Sequence, residues 1–424
     1  MENNILIISH NSFSNKLNNG KTLESIFSSF KKENLSQIYF RHLENLDYSY
    51  CENYLHLTPF KLNLNSSSPD ILIEQNSKQS FFIKFLENNI SIKYILIDLY
   101  WKTFFWNKKK IFKWCLENNI KSIFFLSGQS LFSQNLALQI SKEFNIPLFV
   151  YFTDDYLIYP KRNTFIDKFH KYRIERNFKK LINNSIKCFA IGQDMCDEYS
   201  WFFKKEFSPI MNSIKFIDYP DPVDSFDLII SYFGSLHSNR WESLLNFSII
   251  INKYNQYNKR KLFLNIYTNT ILQEIELIKF NTKYVKFYNP VYGKQLEEKI
   301  SNSNFLLHCE SDKVQFKSST KLSISTKIPE YCTTKRPIIA YGPIDIASIK
   351  LLNDNNLAFV FNSCEDVDIL FNKIELLFNI KMSNYLAERA YQYAKENFDI
   401  TNNSLKFKNT IIKEINNYYE QNCK

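Results

Sequence analysis

Short apolar runs alternate with longer amphipathic stretches along the whole 424-residue chain, and this rhythm constrains the fold more than any other feature. A buried strand needs only a brief apolar run, whereas the helix that returns the chain to the next parallel strand needs several turns with an apolar stripe. The pattern predicts an α/β architecture with parallel sheets and excludes a β-sandwich or a helical bundle. Strands are predicted over Ile5–Ser9, Tyr94–Leu99, Ser122–Leu126, Leu148–Thr153 and Lys187–Ile191 in the first half of the chain. In the second half they are predicted over Leu228–Phe233, Leu262–Tyr267, Val285–Tyr288, Phe305–His308, Pro337–Ala340 and Ala358–Phe361.

Between the halves, Ser208–Asp224 holds Pro209, Pro220 and Pro222 and shows no periodicity, which marks an interdomain linker. The expected domains are residues 1–215 and 225–395, followed by a helical tail at about 400–424. No apolar run is long enough to span a bilayer, and Met1-Glu2-Asn3-Asn4 leads into the first strand without the basic region or cleavage site of an export signal. Eight scattered cysteines without a CxxC pair read as reduced thiols, not as zinc ligands or a disulfide framework. A cytoplasmic protein is expected.

Lys and Arg outnumber Asp and Glu by 53 to 43, a formal charge of +10. Such an excess suits a phosphorylated substrate, an anionic membrane surface or nucleic acid. No helix-turn-helix, zinc-finger or RNA-recognition signature accompanies it, which argues against nucleic acid. Lys108-Lys109-Lys110 and the amphipathic run Phe165–Ile182, with Lys168, Lys171, Arg173, Arg176, Lys179 and Lys180, read either as solvated helix faces or as peripheral contacts with an anionic cytoplasmic leaflet.

Glycine is scarce, six residues in 424, against a usual share of roughly 7%. Asn, Lys, Ile and Phe are heavily used, as a coding bias against G and C produces, and such a bias spares glycine chiefly where no other residue fits. Gly128, Gly192, Gly234 and Gly342 each follow a predicted strand, where open α/β sheets bind ligands, and Gly20 lies in the predicted loop before a helix near Thr22.

Three segments carry chemistry. In Ser323-Ile324-Ser325-Thr326-Lys327-Ile328-Pro329-Glu330, Thr326 is the expected N-cap of a helix with Pro329 in its first turn. The free amides there, the Ser325 hydroxyl and the Lys327 ammonium suit a diphosphate, and Glu330, one turn on, suits ribose hydroxyls. In Tyr232-Phe233-Gly234-Ser235-Leu236-His237-Ser238-Asn239-Arg240, a strand ends in a glycine turn and Arg240 is placed to hold a phosphate. Neither a GxGxxG fingerprint nor a GxxxxGK[ST] loop is present, which lowers the case for a nicotinamide dehydrogenase or a P-loop ATPase. In the third, the run Pro147–Phe152 delivers Asp154 and Asp155 at its carboxyl end; on an extended segment the two point opposite ways and do not act as one clamp, so Asp154 or Asp155 either orients a sugar hydroxyl or assists an acceptor, or serves as a loop cap for the following helix.

The order of these motifs resembles that of the GT-B-fold glycosyltransferases, specifically the family 4 (group 1) retaining type of bacterial capsule and lipopolysaccharide synthesis, over nearly the whole chain. Asn19-Gly20-Lys21-Thr22 is similar to the family's glycine loop, Gly234 and Arg240 to its second-domain glycine and basic phosphate ligand, and Ser325-Thr326-Lys327-Ile328-Pro329-Glu330-Tyr331 to the segment carrying the second glutamate of its EX7E motif. The chain departs from the family at three places. Leu322 stands where the first glutamate belongs, so that Glu310 either returns to the site across an inserted loop or the carboxylate is lost; Ser235 replaces the usual arginine after the glycine; and Thr153 and Asp154 stand where a histidine is usual.

The resemblance implies two Rossmann-like domains facing a cleft, with the last helix returning to the first domain. It implies transfer of a sugar from a nucleotide-diphosphate sugar, UDP or GDP, to a saccharide or lipid-linked acceptor, with no cofactor and no metal. Gly20, Gly234, Arg240, Ser325, Thr326, Lys327 and Glu330 then bind the donor, and Asp154 and Glu310 serve the reacting sugar or the acceptor. A nucleotide-sugar 2-epimerase and an inactive scaffold of the same architecture are the alternatives.

Overall fold

The structure, a computed structural model, describes residues 4–14, 18–41, 46–57, 89–103, 108–159, 164–221, 225–280 and 283–422. It divides into two compact units, Met1–Ser213 with Ile400–Lys424, and Ile214–Asp399.

The first unit is built on seven parallel strands: β1 (Ile5–Ser9), β2 (Leu35–Tyr39), β3 (Asn53–His56), β4 (Ser122–Leu126), β5 (Leu148–Phe152), β6 (Lys187–Ala190) and β7 (Phe207–Pro209). Their order is β3-β2-β1-β4-β5-β6-β7, a doubly wound sheet that reverses direction between β1 and β4. Every residue of β1, β4 and β5 is buried, as strands covered on both faces require, which is why they read as unbroken apolar runs. β2 escapes that reading because its centre is polar: Gln37 is fully buried, donating to Ser9 Oγ at 2.8 Å and the Asn11 carbonyl at 3.1 Å while accepting the Phe13 amide at 3.2 Å.

The strand expected at Tyr94–Leu99 is instead the middle of a helix, Ile90–Thr103. An apolar run of that length fits either element, and here the helical spacing of Tyr94, Asp98 and Trp101 decides it. Tyr94 stacks on His170 at 5.8 Å and Asp98 pairs with Arg173 at 3.3 Å, so this helix lies along the helix Phe165–Asn184. Gly20 is likewise inside a helix, Asn18–Phe27, and not in a loop. A Cβ there would come within 2.9 Å of the Ser12 carbonyl, so glycine lets the turn after β1 close against the helix.

The C-terminal helix Ile400–Asn422 packs on the first unit through Phe407, Ile411 and Ile415, spaced one turn apart and buried. Phe407 meets Phe27, Phe124 and Phe189 at 5.4, 5.5 and 5.8 Å. Lys408 Nζ donates to the Ser29 carbonyl at 2.9 Å and the Tyr419 hydroxyl to the Lys121 carbonyl at 2.8 Å, fixing both halves of the helix.

The second unit holds six parallel strands: β8 (Leu228–Phe233), β9 (Leu262–Tyr267), β10 (Val285–Tyr288), β11 (Phe305–Cys309), β12 (Ile338–Gly342) and β13 (Ala358–Asn362), in the order β10-β9-β8-β11-β12-β13. The direction reverses between β8 and β11, the ligand-binding position of such sheets. The stretch before β8 is tied to this unit: the Ile214 amide donates to the Phe398 carbonyl at 2.8 Å, and the buried Arg336 donates to the carbonyls of Pro220, Thr334 and Ser301 at 2.6, 3.0 and 3.1 Å. Both units are thus parallel-sheet, Rossmann-like folds.

Candidate functional site

At the switch point, β8 runs into Gly234 and β11 into Glu310. Gly234 has φ +148°, and a Cβ built there would overlap the Lys327 ammonium, so only glycine admits that side chain over the turn. Ser238 and Asn239 then adopt left-handed φ values of 58° and 60°, which turns the chain sharply enough for Arg240 to open the helix Arg240–Tyr257 beside β11.

Arg240 donates from Nη2 to both carboxylate oxygens of Glu310 at 3.0 Å, and from Nε to the Cys309 carbonyl at 3.3 Å. Glu310 is only 3% exposed. Its carbonyl accepts the Ser243 hydroxyl at 3.1 Å, its amide donates to the Tyr341 carbonyl at 2.9 Å, and Gly342, at φ +155°, lets β12 close on its backbone. Burial works against the Arg240 charge, but the Glu310 carboxylate outweighs it and keeps the guanidinium protonated. His308 lies 3.5 Å from Glu310 and shares a hydrogen bond of 3.1 Å with Ser348. Burial pushes its imidazole down to about 4, so it is neutral at physiological pH and leaves Arg240 as the counter-ion of Glu310.

Lys327 differs from Arg240 in having no such partner. Its ammonium stands 5.4 Å from the Tyr232 ring and, among the described residues, makes no hydrogen bond or ion pair. Burial first, and then the Arg240 charge, push it down to about 8. Tyr232 is held in place by donating its hydroxyl to the Ser235 carbonyl at 2.7 Å. The pair Arg240–Glu310 is internally neutral, so Lys327 supplies the uncompensated positive charge at the carboxyl ends of β8 and β11. That arrangement is suited to an anion.

Of the residues singled out in the sequence, Gly234, Arg240, Glu310 and Lys327 converge here. Lys327 opens a helix, but a short one, Lys327–Cys332, and Thr326 is not its cap: Thr326 is itself helical, and the Ser325 hydroxyl accepts the Lys327 amide at 3.4 Å instead. Glu330 sits one turn on and is partly exposed, while Leu322 is buried and offers the site nothing. Asp154 and Gly20 belong to the first unit. Asp154 is exposed, with the Thr153 hydroxyl at 3.3 Å, whereas Asp155 is the loop cap, accepting the amides of Leu157, Ile158 and Tyr159 at 2.9, 3.0 and 2.8 Å and the Tyr199 hydroxyl at 2.9 Å. Sequence reasoning missed His308, Ser243 and Tyr232; the alternation of His308 and Glu310 at a strand end was the available signal.

A cavity of about 780 Å³ lies elsewhere, in the first unit, lined by Asp98, Trp101, Lys102, Lys108, Lys109 and Leu131 among others. Burial raises the Asp98 carboxyl to about 6 even beside Arg173. Among the described residues no group of three or more His, Cys, Asp or Glu is placed to hold a metal ion.

No protein-family model and no curated protein matches the sequence. Solved structures do match its fold. A glycosyltransferase from Rickettsia africae is 15% identical, with 97% of this chain and 98% of that one covered at a TM-score of 0.61. Anabaena HepE in complex with UDP is 12% identical over 96% and 99% of the two chains, and a sucrose-phosphate synthase from Thermosynechococcus elongatus is 12% identical over 96% and 98%, both with a TM-score of 0.63. The chain has the GT-B fold of glycosyltransferases. The expectation of two parallel-sheet, Rossmann-like domains in a GT-B architecture is thereby borne out. No helix is long and apolar enough to cross a membrane among the described residues.

Proposed function

We propose that this chain is a glycosyltransferase that moves a sugar from a nucleotide-diphosphate sugar, UDP- or GDP-linked, to a saccharide or lipid-linked acceptor in cell-surface polysaccharide assembly, at the cytoplasmic side of the membrane. The observation that carries the reading is the unpaired Lys327 ammonium over the bare Gly234 turn, with Arg240 beside it. Breaking the bond between sugar and diphosphate leaves negative charge on the phosphate oxygens, and the uncompensated Lys327 ammonium in a partly buried site stabilises that charge as it develops, with the Glu310-paired Arg240 guanidinium beside it as a further N–H donor. Lys327 then supplies at Gly234 the charge that the resembling family places on the next residue, here Ser235. With protein cations in this role the reaction proceeds without a metal, and as in the resembling family it retains anomeric configuration. Ser325 and Glu330 complete the donor site on the diphosphate and ribose, and Asp154 serves the acceptor. Among the similar structures, HepE is in complex with UDP or UDP-glucose and TarM of S. aureus with UDP and a saccharide, which supports this choice of substrates.

Thermal unfolding with UDP and GDP tests the reading. A ligand at about a hundred times its Kd adds roughly 2.7 kcal/mol to the folded state. One nucleoside diphosphate is expected to stabilise the protein, and Lys327→Ala to abolish that gain while leaving the weak effect of the free nucleoside unchanged. Stabilisation by neither overturns the donor site; binding of UDP without turnover of any UDP-sugar overturns the transfer step and favours the scaffold.

A further inference from the structure

The helix Phe165–Asn184 carries two apolar stripes, and the core uses only one. His170, Ile174, Phe178, Leu181 and Ile182 are buried. Phe165, Phe169 and Tyr172 recur at the same helical spacing on the side turned from the core, 84%, 49% and 60% exposed, and the stripe runs on through Arg176 to Lys180. The surface continues onto the helix Gln193–Phe203, where Trp201 is 71% exposed beneath Lys204 at 4.8 Å, and where Phe202 lies 5.8 Å from Lys179 Nζ.

The charges on this face are of two kinds. Arg173 is occupied by the buried Asp98, and Lys179 is paired with Glu175 at 2.7 Å, so of the six basic residues on this helix two already face a carboxylate. Lys168, Lys171, Arg176 and Lys180 make no ion pair among the described residues. Aromatic side chains held in water next to unneutralised cations are costly in solution and favourable at an acidic headgroup layer, where rings enter the interface and each cation gains electrostatic energy.

We propose that this face docks the protein onto an anionic lipid bilayer, with Phe165, Phe169, Tyr172 and Trp201 entering the headgroup region and Lys168, Lys171, Arg176 and Lys180 meeting acidic lipids. A second copy of the chain does not suit it, because the same cations would face one another. Single-stranded nucleic acid binds along basic grooves, and the outward face of a helix has none. The inference concerns a surface of the first unit and names where the membrane contact of the proposed function is made; it is tested without any transferase assay, so the two readings fail separately.

The test is sedimentation of the full-length protein with vesicles of phosphatidylcholine alone, or with one quarter phosphatidylglycerol. Binding is expected only to the acidic vesicles and to weaken with salt. Phe165→Ser/Phe169→Ser is expected to lower partitioning by about tenfold or more, and Lys168→Gln/Lys171→Gln/Arg176→Gln/Lys180→Gln on the order of a thousandfold. Lys406→Gln/Lys413→Gln, on the exposed side of the C-terminal helix, is expected to bind as the unaltered protein does. These positions are exposed except Lys171, which is half-buried, and none lies in the core, so the far-ultraviolet circular dichroism should not change. Equal binding to neutral vesicles, no binding to either, unaltered binding by both stripe variants, or displacement from acidic vesicles by a single-stranded oligonucleotide would each overturn the proposal.

Discussion

Lys327 titrates where few lysines do, and the consequence is a pH dependence with a definite sign. Its ammonium is pushed down to about 8 by burial and by Arg240, whereas a bound diphosphate favours the protonated form. Affinity for a nucleoside diphosphate is therefore expected to hold below that pH and to fall as pH rises through it, approaching about tenfold per unit. Calorimetric titration between neutral pH and about 9.5 checks this; a flat profile would remove Lys327 from the phosphate contact. Gly234 is the second test at this scale. An alanine there overlaps the far end of a flexible side chain, so Lys327 moves aside, and the positive φ of 148° adds strain of roughly 1–3 kcal/mol. Gly234→Ala is expected to lower the unfolding temperature modestly and to abolish diphosphate binding. Tight binding by that variant would show that the ammonium need not occupy the turn.

Elements differed in how plainly the sequence announced them. The strands at the centre of each sheet, β1, β4, β5, β8, β11 and β12, lie between layers of helices, so nearly every position is apolar and the run is unmistakable. β2 hides a structural glutamine, β3 has no fully buried position, and β7 is three residues long, so none of them rises above the pattern of its neighbours. The run at Tyr94–Leu99 misled because a helix packed against another helix is as apolar as a short strand. At the site, Gly234 and Arg240 were legible as a local turn and Lys327 and Glu330 as a local helix start. That Lys327 lies over Gly234, and that Glu310 is spent on Arg240, depends on the sheet order that brings β8 beside β11, which no local pattern encodes. The C-terminal helix offers the test at this scale. Phe407 is 7% exposed among three aromatic rings, and removing it leaves a cavity on the sheet. Phe407→Ala is expected to cost about 3–5 kcal/mol in urea unfolding, and a cost below about 1 kcal/mol would mean that the helix is not part of the first unit's core.

At the scale of the molecule, each unit has its own sheet, switch point and aromatic core, and the chain passes between them only at Ser213–Ile214 and Asp399–Ile400. Stability need not be uniform across such a chain, and a ligand protects most strongly the unit that supplies its contacts. The residues assigned to the donor are divided unequally: Gly234, Arg240, Ser325, Thr326, Lys327 and Glu330 lie in the second unit, and Gly20 lies in the first. Hydrogen exchange with and without saturating UDP therefore reads the division directly. Slower exchange is expected at the end of β8 and the turn to Arg240, at the end of β11 around Glu310, and across Ser325–Glu330, with β1 to β7 unchanged. Protection that also reaches the helix Asn18–Phe27 would bring Gly20 into contact with the donor. Protection confined to the ends of β1 and β4, the other switch point, would move the donor to the first unit and leave Lys327 and Arg240 for the acceptor. The two outcomes separate because no strand is shared between the sheets, so slowed exchange in one unit is not carried to the other through a common hydrogen-bonded ladder.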